Sequence, residues 1–77
     1  MIKTYLVDGQ VVTVTAVYRQ RPPVYTIRVA GRPTAGTVER TALGRYRAID
    51  SHLRLLGTYQ GLQEAVEKMV RAELPRD

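Results

Sequence analysis

The sequence predicts an α+β fold, an antiparallel β-meander of about five strands with one C-terminal α-helix packed on one face. Three observations carry this. Leu62, Ala65, Val66, Met69, Val70 and Leu74 recur at helical spacing, while Gln63, Glu64, Glu67, Lys68 and Arg71 fill the opposite side. Most of the remaining chain alternates apolar and polar residues with period two, the pattern of half-buried strands. Short turns bearing Gly, Pro or Asp separate those stretches. A helix of this length is marginal in water alone, so its apolar stripe needs a sheet to cover.

Taken in order, residues 2–7 read as a strand, and Asp8-Gly9 is a two-residue hairpin signal of the I′ type. The return strand, residues 10–18, places Val12, Val14, Ala16 and Tyr18 on one face. Val11, Thr13, Thr15 and Val17 fall on the other, and the first face is expected to point inward. Arg19-Gln20-Arg21-Pro22-Pro23 cannot continue a central strand, because two prolines remove two ladder donors, and it reads as a basic loop. Residues 24–30 resume the alternation, with Tyr25, Ile27 and Val29 opposite Thr26 and Arg28. Residues 31–36 read as a turn carrying Arg32, and residues 37–41 as a short strand. A second hairpin follows: residues 45–49, a turn around Asp50-Ser51-His52, and residues 53–59, with Gly57 marking a bend or bulge. Gly61 opens the helix as N-cap with Glu64 as half of a capping box, Glu64–Lys68 and Glu67–Arg71 form i,i+4 pairs, and Pro75 stops it.

At 77 residues the chain is one domain near the lower size at which a core suffices without staples. It has no cysteine, which excludes disulfides and thiolate metal sites and makes a cytoplasmic location the default expectation. Neither a membrane-length apolar run nor a signal-peptide core is visible, so no membrane partner is expected. With no Phe or Trp, the five tyrosines join Val, Leu and Ile as core material. Tyr18, Tyr25 and Tyr46 could instead stack on bases.

The net charge of +5 is unevenly placed. Between Arg19 and Arg54 stand eight arginines against Glu39 and Asp50, a net +6, so the excess lies on strands and loops and not on the helix. A basic surface points to an anionic partner such as DNA. The bland alternative is an arginine-rich composition with a solvated basic face. Chemistry is harder to find. The single histidine, His52, sits in a turn beside Asp50 and Ser51, and a triad needs groups converging from different elements. No phosphate-loop or dinucleotide glycine pattern occurs, and one histidine without cysteine makes no zinc site. The expectation is therefore a non-enzyme with no cofactor and no metal.

Arg28, Arg45, Arg47 and Arg54 are interspersed along the expected sheet, with Arg45 and Arg47 sharing one face opposite Tyr46 and Ala48. Arg19, Arg21 and Arg32 in loops would add backbone contacts. These seven arginines are the expected nucleic-acid-binding residues.

Residues 44–72, GRYRAIDSHLRLLGTYQGLQEAVEKMVRA, resemble the AP2-type DNA-binding domain, including the versions in phage and mobile-element integrases. The resemblance rests on Tyr46 and Ala48 in a strand, a turn at residues 50–52, the basic strand residues 53–55, Leu56-Gly57-Thr58-Tyr59, and Glu64-Ala65 opening the helix. It implies three antiparallel strands on one helix, with the sheet lying in the major groove of DNA. The pattern departs at Asp50, where that family carries an apolar residue, and at Leu53 and Leu55, which take the DNA-facing positions while Arg54 has helix-facing parity. The resemblance thus implies DNA contacts only for Arg45 and Arg47. A second expectation is a phage- or plasmid-type inhibitor or accessory protein that binds a protein partner through the open sheet face or an edge strand, as monomer or homodimer. Exposed Leu53 and Leu55 would favour it.

Overall fold

The computed structural model describes residues 2–17, 23–30 and 34–73. Among them the chain forms β1 (Ile2–Val7), β2 (Gln10–Val17), β3 (Val24–Val29), β4 (Thr34–Arg40), β5 (Tyr46–Asp50), β6 (Leu55–Tyr59) and α1 (Leu62–Glu73). The strands make one antiparallel sheet in sequence order, β1-β2-β3-β4-β5-β6. The expected α+β meander is therefore present, with six strands rather than five.

Each strand divides its side chains as the alternation predicts. Val7, Val12, Val14, Ala16, Tyr25, Ile27, Val29, Val38 and Ala48 point to one side and are buried there. Ala65, Val66, Met69 and Val70 of α1 close over them. Burying a residue the size of Ile27 or Met69 contributes about 1.5–3 kcal/mol, so this shared layer dominates stability. The helix packs on β4, β5 and β6 and also reaches β1, so the sheet curls around it and leaves the opposite face outward. Arg71 Nε donates to Asp8 Oδ2 at 3.1 Å, tying the last helical turn to the β1–β2 turn, and Arg71 also lies 3.8 Å from Glu67. The helix begins as expected, with the Ala65 N–H donating to the Gly61 carbonyl.

The first hairpin is the I′ turn its sequence announces: Asp8 and Gly9 both have positive φ, 49° and 80°. β5 runs Tyr46–Asp50 where residues 45–49 are expected, and two segments differ further from expectation. Residues 34–36, read as part of a turn, belong to β4, which runs seven residues to Arg40. Gly36 makes this possible, because a Cβ there would collide with the Ile49 carbonyl oxygen on β5. The glycine marks a close strand approach instead of a loop. A bulge between Ile27 and Arg28 accommodates the change of register alongside it.

The last strand is also shorter than expected, because Leu53 and Arg54 belong to the preceding turn. Leu53 takes a left-handed conformation, φ 63°, which ends strand geometry. Asp50, at a core-facing position and only 4% exposed, organises the turn. Its carboxylate accepts the backbone N–H groups of His52 and Arg54, each at 2.9 Å, and Arg54 Nε at 3.1 Å. The polar residue at an otherwise apolar position is thus a turn organiser whose hydrogen bonds offset its burial. The bulge anticipated near Gly57 falls at the β5–β6 register shift between Ala48 and Ile49, with Leu56 as the extra residue.

Candidate nucleic-acid interface

The face away from the helix can be read row by row from the strand register. One row crosses all six strands: Ile2, Thr15, Thr26, Thr37, Ile49 and Leu55. The next carries Thr4, Thr13 and Arg28. A third carries Val24, Glu39, Arg47 and Thr58. The centre of the face is therefore hydroxyl-rich and its two margins are apolar. Ile2, Leu6 and Val11 stand exposed at the β1 side, and Leu55 at the β6 side. Thr13, Thr15, Thr26 and Arg28 line a shallow cleft of about 330 Å³ in the middle.

Alternation explains why threonine collects here. A β-branched side chain keeps the strand conformation favourable while its hydroxyl stays in water. The same positions filled with valine would leave an apolar patch on the outside of the sheet.

The seven arginines expected to bind are not brought together. Arg28 sits in the cleft and is exposed, with no anionic partner among the described residues. Arg47 shares the face, but its guanidinium lies 2.9 Å from Glu39 Oε2 on the neighbouring strand, which neutralises its charge locally. Arg45 lies in the turn before β5 and not on a strand: Thr41 N–H donates to its carbonyl at 2.7 Å, and its own N–H donates to Thr41 Oγ1 at 3.2 Å. Arg54 is held by Asp50 in the β5–β6 turn. Arg19, Arg21 and Arg32 lie outside the described residues. Arg40, which the sequence reading passed over, ends β4 at the same end of the sheet as Arg45, and both are exposed. Neither has an anionic partner among the described residues.

Of the tyrosines offered as stacking candidates, Tyr18 lies outside the described residues, and Tyr25 and Tyr46 resolve toward the core. Tyr25 is buried, Tyr46 and Tyr59 pack against the same cluster, and the Tyr25 and Tyr46 rings sit 6.2 Å apart at 53°. Those three rings face the helix side, so none offers a stacking platform on the open face. Among the described residues no group of His, Asp and Glu side chains could hold a metal ion, and no helix is long and apolar enough to cross a membrane.

The Asp50 carboxyl is held below its ordinary value of 3.8, chiefly by the backbone N–H of Arg54, with the His52 N–H and the Arg54 charge adding to it and burial opposing. The turn is thus built around an anion, and Arg54 is committed to it. No protein-family model, curated protein or solved structure matches this chain.

Proposed function

We propose that this protein is a small nucleic-acid-binding module that lays the centre of its helix-free face along the phosphate backbone of duplex DNA, without chemistry on the ligand. The observation that carries the reading is Arg28 in a cleft walled by Thr13, Thr15 and Thr26. A guanidinium surrounded by hydroxyl donors is the side-chain set that contacts phosphate oxygens. Arg45, exposed in the turn before β5, adds positive charge that has no anionic partner among the described residues. Three antiparallel strands, β4 to β6, lie under one helix, which is the layout the AP2-type resemblance implies and supports the reading.

Arg28 and the threonine hydroxyls around it suit phosphate oxygens rather than base edges, so binding is expected to be largely independent of sequence.

The test is a fluorescence-anisotropy titration of mixed-sequence duplex at two salt concentrations. Binding that weakens steeply with salt supports the proposal, and Arg28→Gln should reduce the salt slope by about 0.9, the share of one phosphate contact. Absence of binding at low salt removes it. A second reading, a protein-binding inhibitor or accessory module, is favoured by Leu53 at 87% and Leu55 at 60% exposure near the β6 side. Its sign would be a Leu53→Ser, Leu55→Ser variant that loses function while duplex binding, if any, is unchanged.

A further inference from the structure

The two edges of the sheet are unequal. β6 carries a bulge and leads directly into the helix that packs on it, both of which blunt an edge. β1 runs six residues with no bulge and no proline. Its Ile2 and Leu6 are 70% and 74% exposed on the helix-free side. The tight Asp8-Gly9 turn sets the direction of its hydrogen bonds. In a two-residue hairpin the flanking pair, Val7 and Gln10, exchanges both bonds, so Val7, Tyr5 and Lys3 address β2 while Leu6, Thr4 and Ile2 turn theirs outward. Among the described residues no backbone group takes those outward bonds.

We propose that β1 pairs antiparallel with β1 of a second copy, joining two sheets into one continuous layer about a two-fold axis at Thr4. Self-complementarity of the strand selects both the occupant and the register. Facing residues must share a face, so the axis passes through a residue. An axis at Lys3 sets two ammonium groups opposite each other, which is repulsive. An axis at Tyr5 leaves Ile2 opposite Asp8. The axis at Thr4 sets Ile2 opposite Leu6 twice, Thr4 opposite Thr4, and Lys3 opposite Tyr5 twice, where the ammonium meets an aromatic ring. It also uses every outward backbone group from Ile2 to Leu6, and it satisfies the exposed apolar margin on that side of the sheet. The pairing is isologous and closed, so it stops at a dimer. It is independent of what the centre of the face binds, although it would place two copies of the Arg28 cleft on one surface.

Because the contact is a single strand pair, the dimer should be weak, with dissociation in about the micromolar range. Analytical ultracentrifugation of the full chain over increasing concentration reads it directly. Wild type should shift from monomer to dimer. Thr4→Lys and Thr4→Glu, which place like charges on the axis, should each remain monomeric while keeping the circular dichroism spectrum of the fold. An equimolar mixture of the two should recover the dimer, because position 4 faces itself only in this register. Thr58→Lys, on the far edge strand, should dimerise like wild type. Monomeric wild type throughout, dimers in both single variants, no recovery in the mixture, or loss of the dimer in Thr58→Lys would each overturn the proposal.

Discussion

The two faces of the sheet are drawn from the same strands, residue by residue, and differ in almost everything else. Thr26 and Ile27 are neighbours on β3, yet Ile27 is fully buried in the core on the helix side of the sheet while Thr26 lines an open cleft. On the helix side, valine, isoleucine and alanine meet an apolar helical stripe, and Tyr5, Tyr25, Tyr46 and Tyr59 fill the space that missing Phe and Trp leave. On the other side, threonine keeps the strand conformation and leaves a hydroxyl for a ligand. The comparison separates residues that hold the fold from residues free to bind. A substitution on one face should change stability, and one on the other should change binding.

The largest effects should come from breaking the buried side. Ile27→Ala should cost about 2–5 kcal/mol in chemical denaturation, while Thr26→Ala next to it should stay within about 0.5 kcal/mol. Equal losses at both would erase the distinction between the faces. Gly36→Ala should cost roughly 2–4 kcal/mol, because its new methyl meets the Ile49 carbonyl oxygen and β4 must separate from β5. A thermal melt indistinguishable from wild type would show that the strands do not approach this closely.

Smaller effects sharpen the picture at the β5–β6 turn. The folded Asp50 carboxyl titrates below 3.8, so its contribution to stability is complete above that value and is lost as pH falls through the lower folded value. Denaturation of Asp50→Asn should accordingly be less pH-dependent over that acid window than wild type, with lower stability at neutral pH. Leu53→Gly should stabilise the chain by about 1 kcal/mol, since glycine adopts φ 63° without the strain that leucine bears. If it destabilises, the exposed leucine makes contacts this geometry does not contain.

Much of the fold was legible because period-two alternation and a helical stripe are local signals. The Asp8-Gly9 turn, the inward faces of β2 and β3, and the apolar stripe of α1 follow from neighbouring residues alone. The start of β4 was not legible, because Thr-Pro-adjacent small residues look the same in a turn and in a strand that another strand approaches closely. Only the Gly36 contact with β5 distinguishes them. Residues 53 and 54 look like strand in sequence, because nothing in Leu-Arg announces a left-handed leucine. The candidate site was the least legible part. The arginine content fixes only the sign of the charge, since Arg47 is paired with Glu39 across two strands and Arg54 with buried Asp50. Such pairings depend on register and turn geometry. Arg28 stood out only once the threonines beside it were seen to share its face.

The most direct measurement is an NMR titration of the labelled protein with mixed-sequence duplex DNA, following backbone amide shifts. Shifts and broadening centred on Thr13, Thr15, Thr26, Arg28 and Thr37, with the exposed side of α1 at Gln63, Glu64 and Lys68 unmoved, are the predicted result. Perturbation concentrated on the helix, or none at low salt, would contradict the assignment of the helix-free face as the binding surface.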